Sequence, residues 1–191
     1  IPAIMAEVNQ YYFLEEGDIA EITANSCSIY DLSGKDVDRP LHDVKQDERV
    51  VTKAHYAHYM LKEIHEQDDV VRRCLADVIR EHNFTQCIFP SELADLLKRS
   101  QFLHIVACGS SWHAAYIAKY WFESMADVVC QVEIASEYRY RDMVVPPNSV
   151  FIAVSQSGET ADTLAALRFA KASIYDAVLS VCNVKSSAMY R

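Results

Sequence analysis

The stretch FIAVSQSGETADTLAALRFAK, residues 151–171, runs an apolar segment into hydroxyls gathered around one glycine and then into an alanine- and leucine-rich segment. The first part has the length of a buried strand and the last that of a helix, so the junction reads as strand, loop, helix. A second junction of the same kind lies upstream. There FLHIVAC, residues 102–108, leads through Gly109-Ser110-Ser111 into a helix expected over Trp112 to Met125. Between and beyond these lie VVCQVEI (128–134), a helix expected over Ala161 to Ala172, and AVLSVCN (177–183). Strand-length apolar runs alternating with helical segments from Gln101 onward specify an α/β fold with a doubly wound parallel sheet. Further strands are expected beyond Arg191 to complete such a sheet. With a strand order of 2-1-3-4, the two hydroxyl loops fall side by side at the switch point, beyond the carboxyl ends of the strands.

Each junction presents the free N–H groups and positive dipole end of a helix start, a combination that favours anions, phosphates in particular. Ser110, Ser111, Ser155, Ser157 and Thr160 add hydroxyl donors, and Gln156 adds an amide. Gly109 and Gly158 allow a tight turn or a close approach of ligand to backbone. Neither loop carries a lysine, which excludes the G-x-x-x-x-G-K-[ST] nucleotide loop; neutral donors suit a single phosphate. The dinucleotide pattern G-x-G-x-x-G is absent, and SQSG lacks the first glycine of the G-x-S-x-G nucleophile elbow. Serine and threonine are also good helix caps, and for either loop alone that reading stands on equal terms with binding. Together the loops offer five hydroxyls and an amide, more than two caps require.

The chain has 191 residues, 51% of them apolar, and a formal charge of −9 with a pI near 5.2. That charge disfavours sequence-independent nucleic-acid binding, which relies on clustered Lys and Arg. No run approaches the roughly 18 apolar residues of a membrane span. The opening residues lack the features of a secretory signal and an initiator methionine, so the chain is expected to be a fragment. Six scattered cysteines without a C-x-x-C pair point to neither a disulfide framework nor a zinc site. A reducing, cytoplasmic setting is expected.

Upstream, Tyr11 to Tyr30 reads as consecutive short strands, with turns at Glu15-Glu16-Gly17-Asp18 and Ser33-Gly34; the pattern fades at Pro40. Leu41 to Ser100 reads as a charged, helical linker, with Tyr56, Met60 and Ile64 on one helical face and a second helix starting at Pro90-Ser91-Glu92.

The segments SQSGETADTLAALRFAK, ACGSS, YWFES, VEIASEYRYR, FLEEGDIAEI and HYMLKEIHEQ resemble, in order, the glucosamine-6-phosphate synthases (glutamine:fructose-6-phosphate amidotransferases) over nearly the entire chain. The resemblance implies the end of an N-terminal-nucleophile glutaminase domain over 1–40, a connecting helical linker over 41–100 and the N-terminal part of a first sugar isomerase (SIS) domain over 101–191. It implies that Ser110, Ser111, Ser155, Gln156, Ser157 and Thr160 bind the phosphate of fructose 6-phosphate or glucosamine 6-phosphate. Ser110 stands where the family often has threonine, which keeps the hydroxyl. The family uses neither metal nor organic cofactor, hydrolyses glutamine in the glutaminase domain and is expected to form a homodimer at full length. Its nucleophilic cysteine and its sugar-isomerising glutamate, histidine and lysine have no counterpart in this chain. No catalytic residue is therefore assigned here, and the chain alone is expected to lack synthase activity.

Other features carry plainer readings. His55, His58 and His65 read as polar positions on a linker helix in preference to metal ligands. Cys108 reads as a small apolar side chain ending a strand, with a reactive thiol as the alternative. Tyr138-Arg139-Tyr140-Arg141 reads as a solvated surface or as a site for an anion or a partner. Trp112, Trp121 and Phe122 read as core. Two rival functions remain, a non-enzymatic SIS-domain sugar-phosphate sensor and an interaction domain without ligand. The strands and linker upstream suit an amidotransferase better than a sensor, and an interaction domain leaves the hydroxyl loops unexplained.

Overall fold

The computed structural model describes residues 8–44, 52–81, 90–185 and 187–191. The chain divides into two compact units, Ile1–Ala76 and Asp77–Arg191.

In the first unit, four short strands form two antiparallel ribbons. β1 (Gln10–Tyr12) pairs with β4 (Leu41–Asp43), and β2 (Ile19–Ile22) pairs with β3 (Cys27–Tyr30). The turn expected at Ser33-Gly34 is present: Asp31 accepts the N–H groups of Ser33 and Lys35, at 2.8 and 3.1 Å, while Gly34 takes φ +77°. Arg39 clamps Asp18 with two hydrogen bonds of 2.8 and 2.9 Å. That guanidinium, helped by the Glu15 backbone, holds the Asp18 carboxyl below the usual carboxylate range. Strand structure continues past Pro40, where the sequence pattern fades, because Leu41–Asp43 completes a ribbon with residues thirty positions back. Three residues behind a proline carry too little alternation to be read as a strand.

Helix α1 (Tyr59–Glu81) begins three residues after Tyr56, whose ring contacts those of His55 and His65 at centroid distances of 4.0 and 5.5 Å.

The second unit is built on a four-stranded parallel sheet. Its elements are α2 (Ser91–Arg99), β5 (Phe102–Ala107), α3 (Gly109–Ala126), β6 (Val129–Ile134), α4 (Ala135–Tyr138), β7 (Ser149–Ser155), α5 (Ala161–Lys171) and β8 (Ala177–Cys182). The spatial order β6-β5-β7-β8 is the 2-1-3-4 arrangement expected from the sequence. The central strands β5 and β7 are largely apolar on both sides because both sheet faces are covered there. Leu103, Ile105, Cys130 and Val150 pack with Ala115 of α3 and with Leu96 and Leu97 of α2. Val106, Phe151 and Ala153 pack with Tyr138 of α4 and Ala166, Leu167 and Ala170 of α5. Helix α2, read from sequence as part of the linker, thus belongs to this core.

Connections leave β5 toward α3 on one face and β7 toward α5 on the other, so the switch point lies between β5 and β7. Burial also corrects one core assignment. Phe122 packs inward, whereas Trp121 is 59% exposed, because α3 is apolar around much of its circumference.

A polar relay crosses the α4/α5 side of the sheet. The ring of His104, 2% exposed, bonds Tyr175 through Nδ1 at 2.7 Å and Glu133 through Nε2 at 3.0 Å. Arg141 and Gln131 also bond Glu133, and Tyr138 donates to Tyr175 at 3.1 Å. A carboxylate only accepts, so Nε2 carries the proton and Nδ1 accepts from the Tyr175 hydroxyl. Burial pushes the His104 pKa below its ordinary value, against the opposing pull of Glu133. Arg141 is thereby an internal partner of Glu133, while Arg139 lies over the Tyr140 ring at 4.6 Å.

Candidate functional site

The two hydroxyl-bearing junctions sit on the adjacent strands β5 and β7, whose ends are in register at Ala107 and Val154. The β5 junction is tighter than the sequence suggests. Helix α3 starts at Gly109, which takes φ +57°, and Cys108 occupies the cap position in extended conformation. Ser110 and Ser111 therefore lie in the first helical turn, where the sequence reads a loop. Cys108 is half-buried against the α5-side core, in line with its reading as a strand-end side chain.

At the β7 junction, Ser155 closes the strand and Thr160 takes the cap position of α5. The residues between them are organised by the hydroxyls themselves. Ser155 Oγ accepts the Gly158 N–H at 3.1 Å and lies 3.1 Å from Thr160 Oγ1. Ser157 Oγ accepts the Glu159 N–H at 3.2 Å. The mutual bond of Ser155 and Thr160 uses one of their two protons. The other, together with that of Ser157, is not used by these bonds.

The capping alternative leaves no trace at the two N-cap positions. Neither α3 nor α5 has a side-chain hydrogen bond at its N-cap, although serines and a threonine are at hand. First-turn N–H groups of both helices are left without intrahelical acceptors, and both dipoles present their positive ends here.

Ser111, Ser155 and Gln156 line a single cavity of about 290 Å³. Its remaining wall comes from Ala114 of α3, Val154 of β7, and Val181, Cys182 and Asn183 at the end of β8. The structure thus brings together three of the six residues singled out from sequence. Ser157 and Thr160 share the turn that forms one side of the cavity without lining it, and Ser110 is exposed on the first turn of α3. The contribution of β8 is absent from the sequence reading. Its signal is the strand order itself, which sets Cys182 opposite Ser155. The lining residues include no Lys, Arg or His, so a ligand there would meet neutral donors and helix starts.

The α5 side of the junction is also held from behind. Asn183 N–H donates to the Gln156 carbonyl at 3.3 Å, and Met189 N–H donates to the Gly158 carbonyl at 3.0 Å. Ala188 N–H donates to Glu159 Oε1 at 2.8 Å. Gly158 takes φ +66°, and an added Cβ there would meet Ser187 Oγ at 2.2 Å.

The profile of the SIS domain family matches residues 96–191. Over 189 residues the chain is 46% identical to glutamine–fructose-6-phosphate aminotransferase (isomerizing) of Haemophilus ducreyi and likewise 46% identical to that of Pseudomonas putida. Each match covers 99% of this chain and 31% of the relative, so the chain spans about a third of those proteins' length. Among solved structures, the C-terminal domain of glucosamine-fructose-6-phosphate aminotransferase from Francisella tularensis superposes with a TM-score of 0.63 at 43% identity, covering 73% of this chain and 38% of that one. Tagatose-6-phosphate ketose/aldose isomerase from Escherichia coli shares the fold, with a TM-score of 0.58 at 17% identity over 70% of this chain and 36% of that one.

Proposed function

Because this chain belongs to the SIS domain family, we propose that it is the sugar-phosphate-anchoring part of a glutamine–fructose-6-phosphate aminotransferase. The observation that carries this reading is the cavity at the β5/β7 switch point, where Ser111, Ser155 and Gln156 converge beside two helix starts that lack side-chain caps. Ser110, Ser111, Ser155, Gln156, Ser157 and Thr160 bind the phosphate of fructose 6-phosphate, by hydroxyl and amide donation and through first-turn N–H groups. A likeness to aminotransferases that reaches beyond the SIS-matched residues favours this reading over an isolated sugar-phosphate sensor.

The chemistry requires ammonia, released with glutamate by hydrolysis of glutamine, to condense with the ketose carbonyl, forming an imine and releasing water, followed by proton transfer between neighbouring carbons to give glucosamine 6-phosphate. Residues of this chain contribute orientation. Fixing the phosphate sets the reacting carbons against catalytic groups elsewhere in the protein, so that binding energy remote from the reaction serves the transition state. In this reading residues 1–40 end a glutaminase domain, 41–100 connect it to the SIS domain, and the complete enzyme is a cytoplasmic homodimer.

The test is glutamine-dependent formation of glucosamine 6-phosphate by the complete protein encoded by the reading frame that contains this chain. Product formation that rises in KM for fructose 6-phosphate on Ser111→Ala supports the assignment. A purified, folded protein that binds fructose 6-phosphate but makes no aminosugar would point instead to the sensor.

A further inference from the structure

We infer that Asn183, Ser187, Ala188 and Met189, in the segment after β8, form a clasp that sets the binding turn between β7 and α5, and that Glu159 is the positioning residue through which it acts. This rests on the reading of that turn as the phosphate anchor. Three residues of the turn, Gln156, Gly158 and Glu159, are each bonded to the segment, through Asn183, Met189 and Ala188 respectively. Two of these bonds join backbone to backbone and need no particular side chain, only a residue other than proline at the donor. The third, from Ala188 N–H to Glu159 Oε1 at 2.8 Å, depends on one side chain.

The segment is itself anchored in the fold. Ser187 and Met189 are 1% and 6% exposed, and Met189 packs in the same core as Tyr138, Ala153 and Ala166. Ser187 also fills the space behind Gly158 so closely that no side chain fits between them. The turn therefore leans on a buried support.

Electrostatics gives Glu159 a second reason to be tied down. A turn that binds an anion with neutral donors is weakened by a loose carboxylate nearby, since like charges at short range repel. Bonding to Ala188 engages that carboxylate within the clasp. Acceptor and charge consequently have opposite effects on affinity, and two variants separate them. Glu159→Gln keeps an oxygen that accepts from Ala188 and removes the charge, whereas Glu159→Ala removes both.

The experiment is calorimetric titration of the complete protein with fructose 6-phosphate, alongside amide hydrogen exchange. In the wild type, ligand should add protection at the Ala188 and Met189 amides, because coupling between two sites is reciprocal. Glu159→Ala should weaken binding by about tenfold, within the usual range of such couplings, and speed exchange at Ala188. Glu159→Gln should bind as tightly as wild type or more so. Equal affinity of wild type and Glu159→Ala, an equal loss in both variants, or ligand binding that leaves Ala188 and Met189 exchange unchanged would each overturn the inference. The exchange arm needs no variant and stands if Glu159→Ala fails to fold. A wild type that does not bind fructose 6-phosphate overturns the anchor reading itself, and is told apart by that first titration.

Discussion

Ser155 Oγ and Thr160 Oγ1 lie 3.1 Å apart across the turn that joins β7 to α5, one hydroxyl closing the strand and the other at the cap position of the helix. Their pairing draws the turn closed while leaving a proton to offer. It also makes each hydroxyl the other's support, so removing one disturbs both.

Thr160→Val keeps the shape of the side chain and removes its hydroxyl. A hydrogen bond to a charged group contributes about 1.5–3 kcal/mol, so fructose 6-phosphate should bind the complete protein roughly tenfold to a hundredfold more weakly. Calorimetry reads this directly. An unchanged dissociation constant in a folded variant would remove Thr160 from the site.

Gly158→Ala meets two obstacles, the left-handed backbone at φ +66° and the Ser187 side chain 2.2 Å from the new Cβ. The expected loss of stability is roughly 2 kcal/mol or more. Denaturant melts of the complete protein check it. A variant as stable as wild type would show that the Ser187 support yields freely.

Thr163 is fully buried in the first turn of α5, and its hydroxyl has no hydrogen-bond partner among the described residues. A buried donor left unmade costs about 1–3 kcal/mol, so Thr163→Val should raise stability by about 1 kcal/mol. A fall in the melting temperature would mean that the hydroxyl is satisfied in the complete protein.

His104 gives the core a pH dependence whose sign follows from its lowered pKa. The unfolded chain, with an ordinary histidine pKa of 6.5, binds the proton more readily than the folded one. The contribution of neutral His104 is therefore fully present above pH 6.5 and is lost as pH falls from there through the folded value. The groups facing the ring are Glu133, Tyr175 and Tyr138, with Arg141 bonded to Glu133 and Tyr138 donating to Tyr175. Melting temperatures from pH 7.5 down to about 5 should decline in the wild type and decline less in His104→Gln. Parallel curves would rule His104 out as the source.

The sheet was readable from sequence because its strands are buried on both faces, which leaves continuous apolar runs such as Val150 to Val154, and because two glycine and hydroxyl junctions mark where strands hand over to helices. The pairing of Ser111 with Ser155 and Gln156 in one cavity followed from the strand order. What could not be read depends on one local backbone angle and on contacts between distant segments. Gly109-Ser110-Ser111 has the composition of a loop, yet Gly109 begins a helix by taking a backbone angle open mainly to glycine. Leu41–Asp43 becomes a strand through its partner Gln10–Tyr12. The bond from Ala188 to Glu159 joins residues 29 positions apart and leaves no local pattern.

The most direct measurement is a pair of calorimetric titrations of the complete protein, one with fructose 6-phosphate and one with unphosphorylated fructose. If two helix starts and neutral donors at the β5/β7 switch point hold a monophosphate, the phosphorylated sugar binds and fructose binds at least a hundredfold more weakly. Equal affinity for the two sugars, or binding of neither, would contradict the account.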